Sequence, residues 1–213
     1  MSNLKNVIQA EKNKDNYDSV ILSIVIPSYN SVKLLSRCIN ALENQSAKKA
    51  FFEIAIADDG STDETLEMLE TFKSRSELNL QWTNIKNSGP ATARNTGISI
   101  SSGKWIGFLD ADVIPHPDWV ENALKLIRDN PSAGAFEGRT KVTQRARATP
   151  FTHQTENNEG GRYLTCNLIV RKNLAHFHQA YKIPFREDTD LAFSILESGY
   201  SIIFSYELAV EHP

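Results

Sequence analysis

The sequence predicts a doubly wound α/β fold: a mostly parallel central sheet flanked by helices, with an antiparallel element in the C-terminal half. Three observations predict it. Short apolar, β-branched runs recur through the first half, each followed by a turn and then an amphipathic helical stretch. The turns after these runs are acidic or carry glycine, and in an alternating chain they gather at the sheet edge where open α/β sheets bind ligands. From about residue 133 the pattern changes, and Ala133–Gln144 alternates as an antiparallel strand does.

The elements follow in order. Val20–Pro27 is an apolar run broken only by Ser23, the composition of a strand buried on both faces. Pro27-Ser28-Tyr29-Asn30 ends it, and Leu34, Leu35, Cys38, Ile39 and Leu42 then recur at helical spacing. Phe51–Ala57 is a second strand, ended by Asp58-Asp59-Gly60. Ser61 and Glu64 are spaced as a capping box before a helix with Leu66, Leu69 and Phe72 on its inner stripe. Leu78–Thr83 reads as a third strand. Gly89-Pro90 opens a helix over about 91–100, with proline in the first turn, where its missing N–H costs nothing. Trp105–Leu109 is a fourth strand, ended by Asp110-Ala111-Asp112. Pro117-Asp118 starts a helix carrying Trp119, Val120, Ala123, Leu124 and Ile127, which stops near Asn130-Pro131. Arg145–Arg162 is polar and aperiodic and reads as a mobile loop, Tyr163–Val170 as a strand, and Glu187–Glu197 as a helix stopped by Gly199. Ser201–Tyr206 and Ala209–Val210 close the sheet.

The 213 residues suffice for one well-buried core with room for a lid. A net charge of -3 argues against a broad basic surface for nucleic acid, so phosphate binding must come from local devices. Cys38 and Cys166 fall in apolar stretches and read as buried thiols of a reducing compartment. No twenty-residue apolar run predicts a transmembrane segment. Residues 1–19 form a polar leader without the apolar stretch of a secretory signal, in which Leu4, Val7 and Ile8 allow a short amphipathic helix. The expected location is cytoplasmic.

Asp110 and Asp112 lie one residue apart after a buried strand and can turn both side chains into one cleft. Such hard oxygen ligands suit Mg²⁺ or Mn²⁺, which keep positions open for phosphate oxygens and neutralise charge on a diphosphate leaving group. Taken alone, the pair is more simply a turn cap. Asp58-Asp59-Gly60-Ser61 is likewise a tight turn, in which a carboxylate can accept from a base N–H or a ribose hydroxyl.

The combination is far more specific than its parts. Val25-Ile-Pro-Ser-Tyr-Asn30, Ala57-Asp-Asp-Gly-Ser-Thr-Asp63, Gly89-Pro-Ala-Thr-Ala-Arg-Asn-Thr-Gly97, Phe108-Leu-Asp-Ala-Asp112 and Arg186-Glu-Asp-Thr-Asp-Leu191 occur in this order. With them the sequence closely resembles the family 2 glycosyltransferases, over residues 20–212. The resemblance implies the GT-A fold, an inverting mechanism, a nucleotide-diphospho-sugar donor such as a UDP-sugar, and a divalent cofactor, Mn²⁺ or Mg²⁺. By position it places Pro27, Tyr29 and Asn30 against the nucleotide, Asp59 on the donor base and Arg94 on the nucleotide. It assigns Asp110 to ribose or metal and Asp112 to the metal. His212 matches the late histidine that often completes the metal site; the alternative is an exposed terminal residue. Asp188 matches the base that deprotonates the acceptor hydroxyl, with adjacent Glu187 as competitor, and both acids equally suit a first helical turn.

Gly160-Gly-Arg-Tyr-Leu-Thr-Cys-Asn167 corresponds to the segment beside the donor sugar. Asn167 there is a candidate sugar or phosphate contact, and Cys166 departs from the small residue many relatives carry. The preceding loop, with Arg145 and Arg147, suits either a flap over the donor or a plain surface loop. His116, His153, His176 and His178 show no ligand spacing. The expected organisation is one domain over 20–213, with a nucleotide-binding half at 20–115 and an acceptor and catalytic half at 116–213. The abrupt end at Glu211-His212-Pro213 reads as a truncation. The expected acceptor is a hydroxyl on a saccharide, a lipid-linked sugar or another molecule, as in polysaccharide or glycan assembly, with peripheral contact at the inner membrane face. Two other readings stand beside this one. A catalytically silent nucleotide-sugar binding module would share the donor motifs. A sugar nucleotidyltransferase would need a glycine-rich basic loop after the first strand, which Pro27-Ser-Tyr-Asn30 is not.

Overall fold

Strand β1 (Leu22–Ser28) sends Leu22, Ile24 and Ile26 into one core and Val25 into another, all fully buried. These positions come from the computed structural model, which describes residues 20–143, 155–178 and 186–213. A strand apolar on both sides needs a covering layer on each. Along the chain follow α1 (Val32–Glu43), β2 (Phe52–Asp58), α2 (Thr65–Arg75), β3 (Leu80–Asn84), α3 (Pro90–Ile100), β4 (Trp105–Leu109) and β5 (Ile114–Pro115). Then come α4 (Trp119–Asp129), β6 (Ala135–Val142), β7 (Asn167–Arg171), α5 (Glu187–Glu197) and β8 (Ile202–His212). Helices α1, α2 and α4 pack into the core that holds Leu22, Ile24 and Ile26, while α3 and α5 pack with Val25 on the other side. Each fully buried aliphatic side chain contributes about 1.5–3 kcal/mol.

Among the described residues the strands form one eight-stranded sheet in the order β3-β2-β1-β4-β7-β6-β8-β5. The first four are parallel, β7 runs antiparallel to both β4 and β6, β8 is parallel to β6, and β5 is antiparallel to β8. The doubly wound sheet and its antiparallel element are as the sequence predicts. Helix α3 lies close on β1: a Cβ added at Gly97 would stand 2.5 Å from Val25 Cγ1, so only glycine permits this approach. Among the described residues no helix is long and apolar enough to cross a membrane.

Four local expectations change. The capping box at Ser61 and Glu64 does not form. Helix α2 starts at Thr65, whose N–H donates to Asp63 Oδ1 at 3.1 Å, while the Ser61 N–H donates to Asp58 Oδ2 at 2.9 Å. Strand β6 is buried at four successive positions, Ala135 to Gly138, because both its faces are covered there, Phe136 packing into one core and Ala135 into the other, and the expected alternation starts only after them. The expected strand from Tyr163 begins only at Asn167. Gly160, Gly161 and Tyr163 have φ of 84°, 79° and 57°, left-handed backbone that no strand adopts. Buried Glu137 accounts for this turn: its carboxylate accepts the N–H groups of Gly161 at 2.7 Å, Arg162 at 2.8 Å and Tyr163. Finally, the two segments expected to close the sheet are one strand, β8, and its register against β6 slips between Gly138, opposite Ser205, and Arg139, opposite Ala209. The leader with Leu4, Val7 and Ile8, the loop residues Arg145 and Arg147, and His153 lie outside the described residues.

Candidate active site

The carboxyl ends of β1, β2 and β4, together with the start of α3, enclose a cleft of about 510 Å³. That is the size range of small-molecule sites. Pro27 and Tyr29 line it after β1, Asp59 after β2, Gly89 and Arg94 from α3, and Asp110 and Asp112 after β4. Tyr29 is half exposed there, at 51%. Four of the five ordered motifs thus line one cleft, while the fifth, Arg186–Leu191, contributes no lining residue and is linked to it through the contact of Glu187 with Arg94.

Asn30 takes a different part. Its backbone is left-handed, with φ of 45°, and its side-chain oxygen accepts the N–H groups of Thr62 at 2.7 Å and Asp63 at 3.3 Å. Its own N–H donates to Ser61 Oγ at 2.8 Å. Asn30 therefore clips the turn after β1 to the turn after β2 and is not among the residues lining the cleft. Asp58 is fully buried and holds the same turn, accepting from the Asn84 side chain at 2.6 Å. Asp59 accepts from the N–H of Ser88 at 2.7 Å with one oxygen and of Gly89 at 2.9 Å with the other. Both oxygens keep further lone pairs for a ligand, since a carboxylate accepts about four hydrogen bonds.

Arg94 is only 4% exposed. Its Nη1 donates to Glu187 Oε1 at 3.0 Å and its Nη2 to Asp110 Oδ1 at 2.9 Å. Arg94 thus lines the cleft with both terminal nitrogens held by carboxylates of the protein itself. Burial disfavours the guanidinium charge, but Asp110 and Glu187 outweigh it and hold the pKa above its already high value. Asn95, next in the motif, clips Phe177 through both backbone groups, at 2.7 and 2.9 Å.

Asp112 and His212 meet across the sheet edge. Ile114 pairs with Glu211 and Pro115 with Val210, which carries His212 Nε2 to 3.6 Å from Asp112 Oδ1. The two-residue β5 that makes this pairing had no periodic signal in the sequence, being too short to show one. Asp112 Oδ1 is buried and has no hydrogen-bond partner among the described residues. Burial pushes the Asp112 carboxyl above the usual carboxylate range, with Asp110 adding and His212 opposing. An orphaned carboxylate oxygen beside an imidazole fits a divalent cation, whose remaining positions phosphate oxygens and water can fill. Asp110 is not gathered into that pair, because one of its oxygens is turned to Arg94. Among the described residues no three His, Cys, Asp or Glu side chains converge on one metal position.

Asp188 and Glu187 share the first turn of α5 but not an environment. Glu187 is buried at 5% exposure and paired with Arg94. Asp188 is half-buried, and its Oδ1 accepts the Thr189 N–H at 2.7 Å. Burial raises its pKa, Glu187's charge adds to this, and the bonds from Thr189 oppose it.

Asn167 is corrected from a sugar contact to a core bracket. It accepts from Trp119 Nε1 at 2.9 Å and donates to the carbonyls of Arg139 at 3.0 Å and Leu208 at 2.8 Å, all in the interior. Cys166 is buried next to it and Cys38 in α1; burial raises both thiols' pKa, with Asp110 and Asp112 adding to it. His116 lies 3.9 Å from Glu211, and His176 and His178 are exposed on either side of buried Phe177.

An open α/β sheet with a ligand-sized acidic cleft at its strand ends places the molecule among proteins that bind ligands at a topological switch point. The chain belongs to glycosyl transferase family 2, whose profile matches residues 23–190. It is similar to glycosyltransferase AglE of Haloferax volcanii, at 27% identity over 202 residues, covering 90% of this chain and 66% of AglE. Among solved structures it resembles S. aureus TarS 1-349 in complex with UDP-GlcNAc, with a TM-score of 0.73 and 23% identity over 90% of this chain and 58% of that one. It also resembles mannosyltransferase PcManGT from Pyrobaculum calidifontis in complex with GDP-Man and Mn²⁺, with a TM-score of 0.70 and 18% identity over 98% of this chain and 64% of that one. At such identities the two structures speak for the fold, which is GT-A. The chain spans no more than 66% of the length of any of these relatives.

Proposed function

We propose that this chain is an inverting, metal-dependent glycosyltransferase that moves a sugar from a UDP-sugar to a hydroxyl acceptor. The observation that carries the reading is the orphaned Asp112 Oδ1 facing His212 in a ligand-sized cleft. A divalent cation held there by Asp112 and His212 would supply positive charge to the donor's diphosphate as it leaves. Pro27 and Tyr29 form the wall against which the base and ribose lie, and Asp59 offers its remaining lone pairs to the base. Asp110, with one oxygen on Arg94, serves the ribose. Asp188 accepts the proton of the acceptor hydroxyl while that oxygen attacks the anomeric carbon from the face opposite the diphosphate. The transition state has oxocarbenium character, as in glycoside hydrolysis.

The UDP-GlcNAc held by the TarS structure supports a uridine donor, and the GDP-Man held by PcManGT makes the base the first point to test. The acceptor class we infer is a saccharide or lipid-linked hydroxyl in glycan assembly, met at the cytoplasmic membrane face. Calorimetry with UDP and GDP, with and without Mn²⁺, tests the donor reading, followed by UDP release from a panel of UDP-sugars. Metal-dependent UDP binding is expected, with the Mn²⁺ dependence lost in Asp112→Ala. UDP binding without any sugar transfer would instead favour the silent binding module.

A further inference from the structure

Glu187 and Asp188 are adjacent in sequence, yet the structure gives them different work. Arg94 joins Glu187 at 3.0 Å to Asp110 at 2.9 Å, and the Arg94 and Glu187 side chains are only 5% and 6% exposed. The bridge therefore runs from the turn after β4, in the donor cleft, to the first turn of α5. It is roofed by Phe177, whose ring centroid lies 5.6 Å from the Arg94 Cζ and which packs edge-on against Phe108 at 5.1 Å. Asn95 fixes that roof through both backbone groups of Phe177. The chain enters α5 through Arg186 in left-handed backbone, φ 62°, a conformation that persists for a non-glycine residue only where its surroundings hold it.

We propose that Glu187 is a positioning residue: through Arg94 it ties the helix turn that carries Asp188 to the Asp110 turn of the donor cleft. This rests on the reading of Asp188 as the base. The reaction needs the base and the donor's anomeric carbon at a fixed separation, and a misplacement of about 1 Å costs on the order of 100-fold in rate. The two acidic turns come from distant parts of the chain, so a link between them must be made in the fold. Arg94 suits the task because its planar fork bonds two carboxylates at once and stays charged when buried. Glu187 is itself engaged by this fork, whereas half-buried Asp188 accepts hydrogen bonds, among the described residues, from Thr189 of its own helix turn.

The test compares Glu187→Met, Arg94→Met and the double variant in the full chain. UDP release from UDP-GlcNAc with Mn²⁺ reads kcat and KM, and calorimetry reads UDP affinity. Glu187→Met is expected to lower kcat about 10- to 100-fold while the donor KM and the UDP Kd stay within about twofold. Added to Arg94→Met, it is expected to change kcat by less than about twofold, because the link is already severed. An active wild type with an unchanged kcat in Glu187→Met overturns the inference alone, as does the same 10- to 100-fold loss in the Arg94→Met background. A wild type that neither binds UDP nor releases it overturns the uridine-donor reading and not this inference, which the same kcat comparison with GDP-mannose then decides. Should Glu187→Met not unfold cooperatively, Glu187→Gln takes its place, with kcat expected about tenfold lower and a wild-type kcat overturning the proposal.

Discussion

Two buried carboxylates and one half-buried one show what separates a structural acid from a candidate functional one. Glu53 accepts from Ser23, Ser102 and Gly103 at the opposite end of the sheet, and Glu137 accepts from three backbone N–H groups and Asn157. Both have their oxygens satisfied by the protein. Asp112 keeps one buried oxygen without a partner, a cost that a folded protein sustains where a ligand is to supply the missing interaction. Asp188 invites a different argument. It works as a base only when deprotonated, so kcat should fall as pH drops through its raised pKa, and this acid limb should lie above the 3.8 of an ordinary aspartate. Asp188→Asn is expected to lower transfer by about 100- to 10,000-fold and to leave UDP affinity intact; retained transfer would remove its assignment as base. The sign for stability runs the other way. A raised pKa means the folded state binds the proton more readily, so the contribution is present below the unfolded value and lost as pH rises through the folded one. Asp188→Asn should accordingly raise the melting temperature at neutral pH, which a pair of thermal scans checks.

Between elements, the decisive contact is α3 on β1. Arg94 and Gly97 lie one turn apart on the same helix, and Gly97 touches Val25 where a Cβ would stand 2.5 Å from Cγ1. Gly97→Ala is expected to lower stability by about 1–3 kcal/mol, as overpacking of a buried contact does. Val25→Ala in the same chain should restore part of that loss, because it removes the atom in the way. Urea midpoints of the two variants and their combination decide it; additive losses would mean that the close approach is not the cause. At the other end of the site the short β5–β8 pairing does comparable work, bringing Asp112 to His212 from almost the full length of the second half.

For the whole molecule, donor binding should appear as stability, since a ligand that binds only the folded state stabilises it by mass action. UDP with Mn²⁺ at about 100 times its Kd contributes about 2.7 kcal/mol, which is a rise of roughly 5–10 °C in melting temperature for a chain of this size. A chelator should cancel most of the rise, and an unchanged melting temperature would count against a metal-assisted site. The fold class was legible in the sequence because burial on both faces leaves uninterrupted apolar runs, as in Ile24–Ile26, and amphipathic helices leave spaced ones, as in α1 and α4. The ordered motifs likewise marked the cleft, since strand-end turns converge in any such sheet. The bonds of Asn30 and Asn167 were not legible because their side chains reach partners 28 to 48 residues away, which local spacing does not reveal. The sequence by itself thus determined the layers of this protein and the acids at their edge. Only the tertiary structure decided that His212 faces Asp112, that Arg94 joins Asp110 to Glu187, and that Asp188 is left outside that bridge, because each of these is a long-range contact set by sheet pairing and helix docking rather than by neighbours along the chain.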